Sequence, residues 1–140
     1  MRRLALICLL FVSLWLGTMV SAQSVLPSQE GQCRQYAAYI ETPKGYVSGV
    51  CVLQKESSDI KGCLFNEFGI TALDFTYHPE RQKVTLNNVI KMMDKWYIRR
   101  VLRKDLAQLM QCLEKGETHY QNASRHISYQ MKPIEDEVTE

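Results

Sequence analysis

The sequence predicts an α+β fold in which one or two helices cover an antiparallel β-meander. Residues 45–86 are dense in β-branched and aromatic side chains, and clusters of turn-forming residues interrupt them at strand-length intervals. No helical pattern separates these segments, so consecutive strands are expected to pair with each other. Residues 88–115 contain neither proline nor glycine, which favours a helical segment after the meander.

The first 22 residues have the pattern of a cleaved secretory signal. Arg2 and Arg3 precede an apolar stretch at 4–17, and residues 20–22 (Val-Ser-Ala) fit a signal-peptidase site. We predict cleavage after Ala22 and an exported protein, periplasmic or secreted. No cysteine ends the apolar stretch, so we predict no lipid anchor. A retained anchor helix is the alternative.

The rest of the chain is predicted to form one domain. We divide it into a flexible leader at 23–31, a single α+β domain at 32–132 and a solvated acidic tail at 133–140. The formal net charge of +2 is accounted for by Arg2 and Arg3, so the exported part is neutral. A neutral domain lacks the electrostatic signature of nucleic-acid binding, and we exclude that class of partner.

Alternation and turn residues set the order of the elements. The helical region has two apolar stripes on nearly opposite sides, so we predict two helices at about 88–101 and 105–115. Asn87 and Asn88 are the predicted cap of the first helix, and Asp105 of the second. Five strands are predicted at about 34–42, 46–54, 60–68, 70–77 and 82–86, with a last strand within 118–132. A short helix is the alternative for 34–42, because its two alanines obscure the period.

Four cysteines remain after the predicted cleavage: Cys33, Cys51, Cys63 and Cys112. Export permits disulfides, and Cys51 and Cys63 lie on consecutive predicted strands. A domain of this size does not need a bridge, however, and cysteine is readily buried, so free thiols are slightly favoured over any pairing. The spacings match no zinc site, and we predict no metal.

The sequence contains no motif for catalysis. There is no Gly-x-Ser-x-Gly, no glycine-rich phosphate loop and no His-Glu-x-x-His. His78 lies in a turn, and His119 and His126 lie in the late segment, where exposure is the ordinary state of a histidine. We therefore predict a non-enzymatic protein without a cofactor.

Apolar side chains of the predicted strands form the first candidate site. An apolar sheet under helices encloses either a ligand pocket or a close-packed core, and the physical argument alone favours the core. The residues that would line a cavity are Val50, Val52, Leu64, Phe68, Leu73, Phe75, Tyr77, Val84 and Leu86.

A second candidate site combines aromatic and basic residues at 95–100. Trp96, Arg99 and Arg100 form a candidate surface for a membrane or a protein partner. The alternative is that the aromatic side chains pack on the sheet while the basic ones face solvent. The absence of net charge favours this alternative.

The meander resembles the small outer-membrane lipoprotein carriers and receptors of the Lol type. The shared features are a Gly-x-x-hydrophobic strand, a return strand ending in Phe-x-x-Phe-Gly at 65–69, and the alternating Leu-Asp-Phe-Thr-Tyr at 73–77. The similarity covers about residues 45–115. The resemblance implies a half-barrel-like sheet covered by helices, with a cavity for acyl chains. For the nine residues above it implies only that they are core-facing positions of matching strands. The chain is short for that family and has no lipobox, so it is similar to the soluble carrier.

Two functions are therefore expected. The first is an exported binding protein that holds lipid or the acyl chains of an acylated protein in an apolar cavity between sheet and helices. The alternative is a secreted protein–protein interaction or inhibitor module with a solid core. Cystatin-like modules belong to this second class, although their Gln-x-Val-x-Gly loop is absent here. A cavity distinguishes the two functions.

Overall fold

The computed structural model describes residues 23–134, so the predicted signal and most of the acidic tail lie outside the described residues. Within this range the chain forms seven strands, a 3₁₀ turn and one α-helix. Their bounds are β1 (Cys33–Thr42), β2 (Gly45–Glu56), β3 (Asp59–Asn66), β4 (Thr71–His78), β5 (Lys83–Val89), the 3₁₀ turn (Lys91–Met93), α1 (Trp96–Glu114), β6 (His119–Asn122) and β7 (Ile127–Pro133).

The strands form one antiparallel sheet in the order β5-β4-β3-β2-β1-β7-β6. The first five strands follow the chain as a meander, and the late β6–β7 hairpin adds to the outer side of β1. The sheet curls so that α1 contacts both of its edge strands, β5 and β6. The predicted α+β fold, a half-barrel-like meander with a covering helix, is confirmed.

The core lies between the concave face of the sheet and one side of α1. Register shifts at Leu64/Phe65 and at Asp74/Phe75 disturb the β3–β4 and β4–β5 ladders, and such bulges increase the local bend of a sheet. Alternate residues of each strand then point inward. The buried side chains that meet there include Tyr36, Leu53, Ile60, Leu73, Phe75 and Tyr77 from the sheet and Leu102, Leu106, Leu109, Met110 and Leu113 from α1.

The prediction of two helices is wrong, because α1 is continuous from Trp96 to Glu114. The first predicted stripe is not a helical face, since Val89 still belongs to β5 and the aromatic residues at the start of α1 are exposed. Asn87 caps no helix: it lies within β5 and donates a hydrogen bond to the Thr76 hydroxyl. Asp105, predicted to cap a second helix, is buried in the middle of α1.

The leader is anchored to the core, contrary to the predicted flexible segment. The Val25 amide donates to the Leu113 carbonyl at 3.0 Å, and the Tyr36 hydroxyl donates to the Val25 carbonyl. Leu26 is buried within the main apolar cluster. This short segment therefore covers the C-terminal end of α1, because removing the side chains of Val25 and Leu26 from water lowers the free energy of the folded state.

All four cysteines of the described residues are free thiols. Cys51 faces the concave core, whereas Cys63 is paired with Val52 and points to the convex face. The two thiols that the sequence suggested as neighbours therefore lie on opposite faces of the sheet. Burial raises the pKa of the Cys51 thiol to about 12. Residues 23–134 contain no helix with the length and apolar character that a membrane crossing requires.

Three buried tyrosines predict that the protein loses stability in alkali. Burial raises the pKa of Tyr36 to about 12, and burial followed by a hydrogen bond to a carboxylate raises the pKa of Tyr77 and of Tyr129. Above about pH 10 the unfolded chain releases these protons while the folded chain keeps them. The free energy of unfolding should therefore begin to fall above about pH 9, where the Cys51 thiol ionises in the unfolded chain, and above about pH 10 each tyrosine should add a loss of about 1.4 kcal/mol per pH unit.

Urea denaturation at about pH 9 and about pH 11 measures this loss. Tyr36→Phe should reduce the slope of the free energy of unfolding against pH by the contribution of one tyrosine. Tyr46→Phe alters an exposed side chain and should leave this slope unchanged. Equal slopes for the wild type and Tyr36→Phe would contradict the assignment.

Candidate functional site

The concave face, where the sequence places a cavity, is filled. Six of the nine predicted lining residues are buried there: Leu64, Leu73, Phe75, Tyr77, Val84 and Leu86. A solvent-open groove of about 600 Å³ lies between α1 and the edge strands β5 and β6, and Val84 alone of the nine residues borders it. The enclosed space beneath α1 is about 20 Å³, bordered by Phe75, Leu106 and Leu109 among others. It has room for about one water molecule, whereas ligand pockets measure several hundred Å³. This face is therefore a packed core.

The other three predicted lining residues lie elsewhere. Val50 and Val52 are half-buried on the convex face, opposite Phe65 and Cys63 of β3. Both sides of β2 are partly apolar, so alternation alone did not show which side faces the helix. Phe68 is in the β3–β4 loop, because β3 ends at Asn66, and 81% of its side chain is exposed.

The β3–β4 loop holds Phe68 outward in a defined turn. The Asn66 side-chain oxygen accepts hydrogen bonds from the backbone N–H of Phe68 at 3.0 Å and of Ile70 at 2.9 Å. The Asn66 backbone also exchanges bonds with the Ile70 carbonyl and the Gly69 amide. Gly69 has φ of +76°, a conformation that glycine adopts without strain. The exposure of Phe68 and Ile70 is thus fixed by the backbone of the turn.

A second anchored segment exposes apolar residues between β5 and α1. The Ile90 amide donates to the Ala72 carbonyl at 2.9 Å, which ties the segment to β4. Met92 on the 3₁₀ turn is 82% exposed, and Trp96 at the first position of α1 is 74% exposed. The Tyr97 ring meets that of Trp96 edge-on at 5.8 Å, and it is also exposed. The alternative in which these aromatics pack on the sheet is wrong.

The basic residues predicted beside Trp96 differ in their surroundings. Arg99 is half-buried and donates to the Asp94 carboxylate at 2.7 Å, which fixes the start of α1. Arg100 is exposed, and none of the ion pairs in the described residues involves it. The predicted surface therefore contains one arginine that stabilises the local structure and one that is available to a partner.

The exposed apolar residues gather at one end of the half-barrel. In an antiparallel sheet of this order, the β1–β2, β3–β4 and β6–β7 turns and the β5–α1 connection all leave at the same end. Eight large apolar side chains are exposed in residues 23–134, and all but Ile134 lie there. We call this surface the apolar end; it consists of Tyr46, Val47, Phe68, Ile70, Met92, Trp96 and Tyr97.

A buried polar cluster fixes α1 to the late hairpin. Asp105 is only 2% exposed, and its carboxylate accepts hydrogen bonds from the Tyr129 hydroxyl at 2.6 Å and the Asn122 amide at 2.9 Å. The Asn122 side-chain oxygen accepts a bond from the Ser124 hydroxyl in turn. Every buried polar side-chain atom of the described residues has a partner, so this carboxylate serves as a structural tie.

Within residues 23–134 no group of three or more His, Cys, Asp or Glu side chains is arranged to hold a metal ion. The imidazole of His78 contacts Asp59 and Thr85, each at 3.0 Å, and so links β4 to both of its neighbours. This contact gives the turn histidine a structural role. The absence of enzymatic activity stays a prediction.

No family model, curated protein or solved structure matches this chain. The half-barrel that the Lol-type resemblance implies is present, and membership of that family stays a prediction. The site must therefore be interpreted from its own geometry.

Proposed function

We propose that this protein is a non-enzymatic binding module with a solid core, which acts through its apolar end. The observation that carries the proposal is the contrast between two surfaces. The concave face, where a carrier would hold its ligand, leaves about 20 Å³, whereas nearly all exposed large apolar side chains cluster at one end. The proposal shares the solid core of the second function expected from the sequence.

The exposed apolar side chains of the apolar end are unfavourable in water, so covering them with a partner lowers the free energy. Burying a Phe or Met side chain contributes about 1.5–3 kcal/mol, and soluble monomers rarely keep a large contiguous apolar patch without a function. Phe68 and Met92 are held on hydrogen-bonded turns, so little conformational entropy is lost when a partner covers them. Rigid exposed aromatics of this kind are typical of binding surfaces.

Hydroxyl-radical footprinting tests whether a partner covers this end. We expect oxidation of Met92, Trp96 and Phe68 to be at least about threefold slower in the native compartment extract than in the purified protein, because a bound partner excludes solvent from them. Ile134, the exposed apolar residue at the opposite end, serves as the internal control and should react equally in both samples. Equal oxidation of Met92 in both samples would overturn the proposal.

The lipid-carrier function is a second candidate, favoured by the half-barrel fold with a helix across its open side. It requires α1 to move away from the sheet, because an acyl chain does not fit the space beneath it. Three ties oppose that movement: the bonds of Asp105, the bond between Tyr77 and Glu114 at 2.8 Å, and the Val25–Leu113 bond. Native mass spectrometry of the protein from its own compartment separates the candidates, since a carrier retains lipid and a solid module gives the bare mass.

A further inference from the structure

We propose that the apolar end binds the surface of an anionic lipid bilayer. This inference rests on the proposed function and names the partner of the same surface. Three observations carry it: the distribution of charge between the two ends, the residue types at the apolar end, and the satisfied backbone of its most exposed turn.

The two ends of the half-barrel carry opposite charge. The connections at the apolar end, with the first five residues of α1, contain six basic and two acidic residues, and Asp94, one of the two acids, is paired with Arg99. The connections at the other end, with the leader and the last five residues of α1, contain four acidic residues (Glu30, Glu80, Glu114 and Glu117) and two basic ones (Arg81 and Lys115). The six basic residues are Lys44, Lys91, Lys95, Arg99, Arg100 and Arg125.

This polarity matches an anionic bilayer surface. Each Lys or Arg close to such a surface contributes roughly 1 kcal/mol to binding. The opposite end would be repelled, so the field of the protein orients the apolar end toward the lipid. The first turn of α1 adds unpaired N–H groups with positive partial charge on the same side.

The residue types favour lipid over a protein partner. Trp96, Tyr97 and Tyr46 have amphipathic rings of the kind enriched where a membrane meets water. Lysine is depleted at protein–protein interfaces, yet Lys91 and Lys95 flank the exposed Met92 and Trp96 directly. At a bilayer, a lysine stem lies along the apolar region while its ammonium group reaches the headgroups.

The Phe68 turn can enter an apolar layer at little cost. Placing an unpaired backbone N–H in hydrocarbon costs several kcal/mol, which keeps most loops out of membranes. Here the amides of Phe68, Gly69 and Ile70 are all bonded to Asn66. The Phe68 side chain therefore enters the interface with three of the four amides of the 67–70 turn already bonded.

Vesicle binding tests the inference. The protein from its own compartment is mixed with vesicles of phosphatidylcholine alone or with added phosphatidylglycerol, and co-sedimentation gives the partition constant. We expect binding to the anionic vesicles, weakened by added salt. Lys91→Gln with Lys95→Gln should weaken binding about 25-fold, at roughly fivefold per charge. Phe68→Ala with Met92→Ala should weaken it about 100-fold, at roughly tenfold per side chain.

A matched variant controls for general effects of charge. Arg81→Gln with Lys115→Gln removes two basic groups from the opposite end and should leave the partition constant unchanged. All the substituted side chains are exposed, and circular dichroism with thermal melts verifies that each variant is folded. Fluorescence of Trp96, the single tryptophan that remains after the predicted cleavage, should shift to shorter wavelength on binding, and Trp96→Phe should abolish the signal.

The outcomes separate this inference from the proposed function. Absence of binding to anionic vesicles, equal binding to neutral ones, or equal losses in the two charge variants would overturn the lipid assignment. If footprinting nevertheless shows the apolar end protected, its partner is a protein and the proposed function stands. If the end is unprotected in the extract and vesicles do not bind, both are overturned.

Discussion

Replacing Phe75 by alanine is expected to lower the free energy of unfolding by about 3–5 kcal/mol. The Phe75 ring is buried on the concave face and borders the small residual space together with Leu106 and Leu109 of α1. Its removal would add a ring-sized void to a core that the fixed strands cannot collapse to fill. Urea denaturation of wild type and variant, compared at equal m-values, measures the loss.

Gly62 supplies the matched test of this packing. It lies opposite Phe75 on β3, and a Cβ atom placed on Gly62 would come within 2.2 Å of the ring. Gly62→Ala should therefore destabilise the wild type, and it should cost much less in the Phe75→Ala background, where the ring is absent. A loss below about 1 kcal/mol for Phe75→Ala would show that this face is loosely packed and would revive the carrier.

The sequence predicted the meander well because its signals are local. β4 alternates from Leu73 onward, and its inward residues Leu73, Phe75 and Tyr77 are those the pattern indicates. The turns carry glycine, proline or paired serines, which end strands for reasons of backbone conformation alone. β2 was ambiguous, because both of its faces are partly apolar and only the position of α1 decides between them.

The prediction of two helices failed because apolar periodicity does not distinguish packing from exposure. Val89, Met93 and Tyr97 repeat at helical spacing, yet they belong to a strand, a 3₁₀ turn and the exposed start of α1. The sequence had no local signal for this division. Val89 and Met93 pack half-buried against the core, and only Tyr97 is exposed as part of the apolar end, where apolar residues are retained for a reason other than folding.

The candidate site was predicted in part. Trp96 and Arg100 were identified from the mixture of aromatic and basic residues, and both are exposed. Met92 and Ile70 were missed, and Phe68 was assigned to a cavity. Gly69 did signal a turn between the strands predicted at 60–68 and 70–77, but the gathering of three separate connections at one end depends on sheet order, which local patterns do not encode.

Replacing Asp105 by alanine is expected to cost about 3 kcal/mol of stability, because it leaves the buried Tyr129 hydroxyl and the Asn122 amide without their acceptor. From the sequence we predicted that Asp105 caps a helix. Its actual partners, Asn122 and Tyr129, lie 17 and 24 residues away, and no local pattern reveals them. Urea denaturation of the variant at neutral pH measures the loss.

A double-mutant cycle with Tyr129→Phe shows whether the carboxylate acts as a tie between α1 and β7. Asp105→Leu with Tyr129→Phe removes both the acceptor and the buried hydroxyl and should cost less than the sum of the losses of Asp105→Leu alone and Tyr129→Phe alone, because no buried hydroxyl is then left unpaired. Strictly additive losses would contradict the tie. The same variants also test the carrier function, because the cluster holds α1 across the open side of the half-barrel. If weakening this tie increases lipid uptake, α1 is a lid over a cavity. If stability falls and no lipid is taken up, the core is solid.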